Sequence, residues 1–210
     1  MNANERKESL TLEILQTIEQ QNDVTQRHLA NQLGVALGLA NSYLKRCVRK
    51  GLVKIHQAPA NRYLYYLTPK GFAEKSRLTA MYLSSSFDFY RRAGNSLVSI
   101  YTECEQHGWN RLIFCGVSEL AEIASIRAFE HQMSITGIWD INTREERFLH
   151  LPVLKNLPEP DQYDACLITS LAEAHIYLQL LEEQVEYERV LIPSILGLNI
   201  EAVKKQVATG

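Results

Sequence analysis

Between Asp23 and Glu74 the sequence contains no aspartate or glutamate, although it contains eight lysines and arginines. The whole chain of 210 residues has a formal net charge of -2, so this excess of positive charge is compensated elsewhere. Residues 1–92 hold 14 basic and 7 acidic residues, whereas residues 93–210 hold 8 basic and 17 acidic ones. A basic stretch without carboxylates suits an anionic partner, which the acidic half would repel. A solvated basic face is the alternative, and composition alone does not decide between them.

Length and composition predict a globular protein with one large or two small domains. Hydrophobic residues make up 46% of the chain and charged residues 22%, which is enough apolar material for a core. No apolar run approaches the roughly 18 residues of a membrane span, and the first ten residues lack the apolar part of a signal peptide. The four cysteines lie far apart, which argues against a zinc module and a disulfide framework. We therefore expect a reduced, cytoplasmic protein without a membrane partner or a bound metal.

Helical periodicity in the first half predicts three short helices, over residues 8–21, 26–33 and 37–50. Thr25 can cap the second helix, and Gly34 can end it. The positions expected to face the core are Leu10, Ile14, Leu15 and Ile18 in the first helix, Leu29 and Leu33 in the second, and Leu37, Ala40, Leu44 and Val48 in the third. Two short helices, a tight turn and a basic third helix fit the helix-turn-helix pattern.

A β-hairpin is predicted directly after the third helix. Leu52–Ile55 and Tyr63–Leu67 are rich in β-branched and aromatic residues, and a polar turn with Pro59 separates them. The hairpin is expected to form a wing with Arg62 near its tip. Thr68 and Pro69 then begin another helix, with the threonine as its cap.

Two segments of the first half carry a family resemblance. They are LANQLGVALGLANSYLKRCVRKGLVKI, which leads into the hairpin, and NRYLYYLTPKGFAEKSRLT, which leaves it. Residues 8–92 resemble the winged-helix part of MarR-type transcriptional regulators, especially the branch associated with exopolysaccharide gene clusters. The resemblance implies a homodimer that binds a short inverted repeat in double-stranded DNA, and hence a sequence-specific transcriptional regulator.

Helix geometry selects the side chains that would contact DNA, because they lie opposite the apolar stripe of the third helix. The predicted DNA-binding residues are Gly38, Asn41, Ser42, Lys45, Arg46, Arg49 and Arg62. The N-terminal part of a recognition helix meets base edges, so Asn41 is suited to adenine and Ser42 to either a donor or an acceptor. Gly38 would let the backbone come close, and Lys45, Arg46 and Arg49 are expected to bind phosphates. Arg62 lies at the wing tip with the further candidate Asn61, placed for a phosphate or the minor groove. For each residue the alternative is an ordinary exposed polar side chain.

Residues 69–108 are predicted to connect the two halves and to dimerise. The segment has helical composition to about Arg92, with Gly94 as a candidate joint before a second helix over residues 96–107. Its broken apolar stripe consists of Phe72, Leu78, Met81, Tyr82, Phe89 and Tyr90. The stripe is too apolar for a free linker and too irregular for a heptad coiled coil. A second copy would bury it and would match a palindromic DNA site, while packing on the chain's own second half is the alternative.

The second half alternates predicted strands with predicted helices. The strands span residues 111–116, 135–140, 163–169 and 189–193, and the helices span residues 118–131 and 171–185. This alternation is typical of a parallel sheet with right-handed crossovers. The predicted fold class is therefore α/β overall, with a winged helix-turn-helix in residues 1–68, connecting helices in 69–108 and a Rossmann-like α/β sensor or interaction domain in 109–210.

The first strand–turn–helix of this half resembles that of Rossmann-like nucleotide-binding domains. In the segment GVSELA, Gly116 and the final alanine match the dinucleotide pattern, but Ser118 replaces the middle glycine and Glu119 adds a negative charge. Asp140 lies near the usual position of the ribose-binding acid. Gly116, Ser118 and Asp140 are thus candidates for binding a nucleotide-like small molecule. A sheet domain that has lost this ligand is the alternative.

No arrangement of residues in the sequence marks a catalytic triad, a P-loop or a reactive cysteine. We therefore expect a regulator that is not an enzyme and has no catalytic residues. The competing hypothesis is an enzyme acting on a nucleotide or a nucleotide sugar, with the winged helix as a protein-interaction module.

Overall fold

The computed structural model describes residues 3–59 and 62–198, and the chain divides into two compact units between Phe87 and Asp88. The helices are α1 (Ala3–Gln20), α2 (Gln26–Gln32), α3 (Leu37–Arg49), α4 (Pro69–His107), α5 (Glu119–Glu130) and α6 (Ala174–Glu182). The strands are β1 (Val53–Ala58), β2 (Arg62–Leu67), β3 (Arg111–Cys115), β4 (Ser134–Trp139), β5 (Arg147–Phe148), β6 (Leu151–Leu154), β7 (Ala165–Ile168) and β8 (Val190–Leu191). The division between the units falls within α4.

The first unit is a helix-turn-helix followed by a hairpin, as predicted. The hydroxyl of Thr25 caps α2 by accepting a hydrogen bond from the amide of His28 at 3.1 Å. Gly34 follows α2 with a φ of +60°, a conformation that favours glycine, and this explains why the helix ends there. The predicted core positions of α1 and α2 are all buried.

One core position of α3 was predicted incorrectly. Leu37 is 45% exposed, whereas Ala40, Leu44 and Cys47 are buried and Val48 is partly buried. Leu37 is the first residue of the helix, and the buried stripe begins only one turn later. The apolar spacing therefore identified the correct side of α3 but extended it one turn too far.

The wing is an antiparallel pair in which Val53 faces Leu67 and Ala58 faces Arg62. The amide of Tyr65 donates to the carbonyl of Asn22 at 2.8 Å, which attaches the hairpin to the loop before α2. Thr68 begins α4 as predicted, because its hydroxyl accepts a hydrogen bond from the amide of Gly71 at 3.0 Å.

The connecting segment is one continuous helix, and the predicted joint at Gly94 is wrong. Gly94 lies inside α4 and is buried. A Cβ atom there would lie 3.1 Å from the guanidinium of Arg127 on α5, so the glycine provides room for a neighbouring side chain. A single glycine lowers helix stability only modestly, and packing along the rest of α4 outweighs that cost.

The second unit contains a six-stranded sheet in the order β5-β6-β4-β3-β7-β8. The four predicted strands are present and mutually parallel, but β5 and β6 were missed. Strand β6 continues the parallel arrangement beside β4, whereas β5 pairs with β6 antiparallel, so the sheet is mixed. Both missed strands are short, and Pro152 in β6 weakens its strand signal.

Helices cover both faces of this sheet, which makes the second unit a Rossmann-like α/β domain. Leu112 and Phe114 of β3 face a core shared with α5 and the C-terminal part of α4, while Ile113 and Cys115 face a second core shared with α6. Burial on both faces explains the continuous apolar run of β3. The parallel pairing of β3 with β4 and with β7 places the carboxyl ends of these three strands at one edge of the sheet.

Candidate functional site

The outer surface of α3 carries most of the residues predicted to contact DNA. Gly38, Ser42, Lys45 and Arg49 are exposed along this surface, opposite the buried stripe. The other two predicted α3 residues, Asn41 and Arg46, are half-buried at its two edges. Two clefts flank this surface, and Ser42 and Arg49 line both of them.

The first cleft, which we call the wing-side cleft, lies between α3 and the hairpin and has a volume of about 530 Å³. It is lined by Gln26, Asn41, Ser42, Leu44, Lys45, Val48, Arg49, Ile55 and Tyr65. Sequence reasoning missed Gln26, Ile55 and Tyr65, because only the folded chain brings α2, β1 and β2 beside α3. Ile55 is exposed although it belongs to an apolar strand, and this exposure could not be read from the strand pattern.

Asn41 retains unused hydrogen-bonding capacity. Its Oδ1 atom is buried and has no hydrogen-bond partner among the described residues. Buried polar atoms are normally satisfied within a protein, and an unsatisfied one requires a specific explanation. A side-chain amide can present a donor and an acceptor together, which is the combination that an adenine edge matches.

The second cleft, which we call the α1-side cleft, lies on the opposite flank of α3 and has a volume of about 440 Å³. It is lined by Lys7, Ser42, Tyr43, Arg46 and Arg49. No carboxylate of the described residues lines either cleft. Sequence reasoning missed Lys7, because the predicted first helix began at residue 8, whereas α1 begins at Ala3.

Ion pairs in the first unit neutralise carboxylates without using these basic residues. Arg77 pairs with Glu74 at 2.9 Å and with Glu8 at 3.6 Å. The hydrogen bond from Arg77 lowers the pKa of Glu74, so this carboxylate stays charged and paired. In contrast, Lys7, Lys45, Arg46 and Arg49 form no ion pair with any residue that the structure describes. The surface around α3 is therefore basic and uncompensated.

The tip of the wing adds less information. Arg62 is the first residue of β2, and its side chain is not among those described. Its neighbour Asn61, a further candidate at the tip, lies outside the described residues. A DNA contact by Arg62 thus stays a prediction.

The second unit has a crevice at the carboxyl ends of β3, β4 and β7, with a volume of about 420 Å³. We call it the strand-end crevice. Val117, Ser118, Glu119, Asp140, Asn142, Thr143, Ser170, Leu171, Ala172 and Glu173 line it. Ligands of open α/β sheets bind at this edge, where the strand order reverses. The structure thus brings Ser118 and Asp140 together at this position, and Gly116 directly precedes the lining residue Val117.

The carboxylate of Asp140 is occupied by backbone amides of its own domain. One oxygen accepts from Val117 at 2.7 Å, and the other accepts from Asn142 at 2.9 Å and from Thr143 at 2.7 Å. Burial would raise the pKa of Asp140, but these three hydrogen bonds and the charge of Lys155 outweigh burial and lower it. Asp140 is therefore a charged group that fastens the loops after β3 and β4.

Ser118 and Gly116 are also engaged internally. The hydroxyl of Ser118 donates to the carbonyl of Thr169 at 2.5 Å and accepts from the amide of Leu120 at 3.0 Å, which caps α5. The hydroxyl of Thr169 donates to the carbonyl of Gly116 at 2.6 Å. Gly116 has a φ of +100°, and a Cβ atom there would lie 2.4 Å from the Cβ of Ser170. The loop after β7 thus covers the glycine.

These residues do not fit a dinucleotide. A pyrophosphate requires close approach to the glycine backbone and free amides at the start of the following helix. Here Ser170 covers Gly116, Ser118 caps α5, and the acidic Glu119 stands in the first turn of α5. A ribose would have to share the carboxylate of Asp140, whose oxygens already accept three hydrogen bonds from backbone amides out of roughly four that a carboxylate can accept.

The remaining chemistry of the described residues is limited. All four cysteines are buried, and burial raises the pKa of Cys47 to about 11 and that of Cys104 to about 12, which keeps these thiols protonated. Within residues 3–59 and 62–198 there is no group of three potential metal ligands. Over the same ranges, no helix combines the length and the apolar character of a membrane span.

Comparisons with known proteins agree with the fold of the first unit. Residues 8–54 match the family of winged helix-turn-helix DNA-binding domains. These residues contain α2, α3 and most of α1. They therefore carry the helix-turn-helix and the start of the wing. No curated protein sequence matches the chain.

Three solved structures show partial similarity. One is MepR, a transcription regulator of the Staphylococcus aureus multidrug efflux pump MepA, at 21% identity over 39% of this chain and 60% of MepR, with a TM-score of 0.34. Another is the PcaV transcriptional regulator from Streptomyces coelicolor, at 21% identity over 41% of this chain and 76% of PcaV, with a TM-score of 0.31. The third is human N-acetylserotonin methyltransferase in complex with SAM, at 12% identity over 88% of this chain and 75% of the enzyme, with a TM-score of 0.32. The chain thus spans less than two thirds of MepR.

Proposed function

We propose that this protein is a MarR-like, sequence-specific transcriptional regulator that binds double-stranded DNA as a homodimer in the cytoplasm. The observation that carries the proposal is the surface of α3. It presents Lys45, Arg46 and Arg49 without a neighbouring carboxylate among the described residues, in a domain whose residues 8–54 match DNA-binding winged helices. A polyanion is the partner that such a surface attracts.

In this proposal α3 enters the major groove, which admits one helix. Ser42 and Asn41 lie nearer its N-terminal end and meet base edges. The basic residues further along bind phosphates and set the register of the protein on the duplex. The wing lies beside α3 and contacts the adjacent backbone, where Arg62 is the predicted contact.

The test is binding of the full chain to duplex DNA at several salt concentrations. Phosphate contacts release counterions, so the logarithm of affinity should fall linearly with the logarithm of salt concentration. Replacing Lys45 and Arg49 together with alanine should lower the slope by about 3.6, since the dimer loses four phosphate contacts and each contributes about 0.9. A matched control is the pair Lys155→Ala and Arg144→Ala in the second unit, which removes the same charge. Equal binding by parent and Lys45/Arg49 variant would refute the assignment.

The homodimer is proposed to form through α4. Leu78 is buried in the core of the first unit. The apolar residues that follow it in α4 are exposed, with Tyr82 at 63%; they are Met81, Tyr82, Leu83 and Phe87. A second copy would cover them and supply the two-fold symmetry that an inverted repeat requires. Sedimentation should find a dimer for the parent chain and a monomer for the Tyr82→Asp/Phe87→Asp variant. A monomeric parent would refute the dimer.

For the second unit we propose a regulatory or protein-interaction role and no catalysis. The internal hydrogen bonds of Asp140 and Ser118 argue against the competing hypothesis, an enzyme acting on a nucleotide or a nucleotide sugar. A ligand can shift a regulator only if it prefers one conformation. In the strand-end crevice, Ser170 covers Gly116 and the acidic Glu119 stands in the first turn of α5, and both features oppose a pyrophosphate.

A further inference from the structure

We infer that Lys7, at the start of α1, is a DNA-binding residue, and that Lys7 and Arg46 bind the phosphate backbone of one strand while Lys45 binds that of the other. This inference rests on the proposed function and extends it. It assigns Lys7 to the interface and divides the basic residues between the two strands.

The division follows from the two clefts on either side of α3. Lys45 lines the wing-side cleft, and Arg46 lines the α1-side cleft, although the two residues are consecutive. Successive side chains of an α-helix diverge by about 100° because there are 3.6 residues per turn. The side chains of Lys45 and Arg46 therefore point to opposite sides of the ridge that Ser42 and Arg49 form.

The dimensions of DNA give each side its own target. The major groove of B-DNA is about 12 Å wide, and a helix with its side chains measures about 10–12 Å across. A helix in the groove therefore has one phosphate backbone along each flank. Basic side chains on opposite flanks of α3 therefore face different DNA strands.

Lys7 joins the α1-side set because of where the chain places it. It is exposed, lines the same cleft as Arg46, and makes no ion pair with any described residue. The adjacent carboxylate of Glu8 lies 3.6 Å from the guanidinium of Arg77, so it pairs with Arg77 and not with Lys7. Lys7 thus leaves an uncompensated positive charge beside Arg46.

The experiment uses the full chain and an operator obtained by in vitro selection with the parent protein. A set of duplexes carries one neutral methylphosphonate each, at successive positions on either strand, and dissociation constants are measured for the parent and for Lys7→Ala, Arg46→Ala and Lys45→Ala. A variant that has lost a phosphate contact should no longer respond to neutralisation of that phosphate. We expect Lys7→Ala and Arg46→Ala to lose the response on one strand of each half-site, and Lys45→Ala to lose it on the other.

Salt dependence gives a second readout. Lys7→Ala should lower the slope of log affinity against log salt by about 1.8, because the dimer loses one phosphate contact in each half-site, and Lys7→Arg should restore it. Arg6→Ala is the matched control, because Arg6 is the exposed basic residue just before Lys7 on α1 but does not line the α1-side cleft. Its slope should stay near that of the parent. Thermal unfolding should be unchanged in all these variants, since the replaced side chains are exposed or half-buried.

The outcomes separate this inference from the proposed function. If the parent protein binds DNA but Lys7→Ala has the same salt slope as Arg6→Ala, Lys7 is not a DNA-binding residue. The proposed function as a regulator would not be affected by that result. Loss of response on the same strand for Lys7→Ala and Lys45→Ala would overturn the division between strands. Parent protein that binds no duplex at low salt would overturn the proposed function itself, and this inference with it.

Discussion

The two candidate sites differ in where their polar groups find partners. Around α3, the basic residues Lys7, Lys45 and Arg49 have no ion-pair partner among the described residues. At the strand-end crevice, Asp140 holds three hydrogen bonds and Ser118 two, all with the backbone of their own domain. Both places match a sequence pattern for binding, but the first keeps unpaired basic residues, whereas Asp140 and Ser118 of the second are hydrogen-bonded within their own domain.

This difference indicates that the polar groups around α3 serve binding, whereas those at the strand-end crevice stabilise the domain. Groups that bind a partner must exchange water for that partner, so they are left available in the free protein. Groups that already bind backbone amides contribute to stability, and a ligand would have to break those bonds first. We therefore expect substitutions at the crevice to change the free energy of unfolding, and substitutions around α3 to change DNA binding at constant stability.

The largest expected effect is that of Gly116→Ala. The variant would combine a φ of +100° with a Cβ atom placed 2.4 Å from that of Ser170, and both terms oppose folding. We expect the free energy of unfolding of the second unit to fall by about 3–5 kcal/mol in a denaturant titration. Gly108→Ala is the control. Gly108 has a φ of +70°, but a Cβ atom added there would meet no described atom within 4 Å, so its cost should be about 1 kcal/mol.

A loss no greater for Gly116→Ala than for Gly108→Ala would mean that the loop after β7 moves aside. In that case the glycine would be accessible, and the contrast between the two sites would be weaker.

Asp140→Asn should have the next largest effect. The amide nitrogen of asparagine cannot accept the hydrogen bonds that a carboxylate oxygen receives, so at least one backbone amide would be left unpaired, at a cost of about 2 kcal/mol near neutral pH. The pKa of Asp140 is lower in the folded protein than in the unfolded chain. Its stabilising contribution is therefore present above the unfolded pKa, about 3.9, and is lost as the pH falls through the lower folded value.

Denaturant titrations of the parent and Asp140→Asn over a pH series would check this sign. The difference in free energy of unfolding should be constant at neutral pH and shrink in acid. Asp161→Asn, which removes an exposed carboxylate from the same domain, should produce little difference at any pH. A difference for Asp140→Asn that grew in acid would contradict the structural role.

The sequence was sufficient where a feature depends on neighbours along the chain. The periodicity of α1 and α2, the stop at Gly34, the cap at Thr68 and the buried strand β3 each follow from a short segment, and each is confirmed. Features that depend on distant segments were not predictable in the same way. Lys7 reaches the α1-side cleft only because α1 lies beside α3, and the room that Gly94 leaves is filled by Arg127 of α5, which is 33 residues away in the sequence.

The same distinction explains the interpretation of the crevice. The spacing from Gly116 to Asp140 is a local pattern, and it correctly places both residues at the end of adjacent strands. Whether the carboxylate is free depends on three amides and on the fold of the loop after β4, which the spacing does not encode. Strand β5 was missed for a related reason, since two residues form a strand only when β6 is beside them.

Asn41→Ala should have a smaller and more selective effect. Loss of its side-chain amide should relax base preference at one position of each half-site, by about 1–2 kcal/mol, with little change at other positions and in the salt slope. Competition of single-base operator variants against the selected operator would measure this. Lys70→Ala is the control, because Lys70 is an exposed basic residue on α4 that lines neither cleft. It should leave the preference for nucleobases unchanged. A uniform loss of affinity across all operator variants would assign Asn41 to the backbone instead of a base.

The smallest expected effect is that of nucleotides on the second unit. A ligand at 100 times its dissociation constant adds about 2.7 kcal/mol of stability, which a thermal unfolding experiment readily detects. We expect no shift with NAD(H), nucleotide sugars or SAM, because the groups that would hold them are bonded to Val117, Thr169 and other parts of the same loops. A clear shift with one of these ligands that disappeared in Asp140→Asn would show that the internal hydrogen bonds exchange for ligand contacts. It would also show that occupied polar groups can still form a binding site, and it would remove the distinction drawn between the two regions.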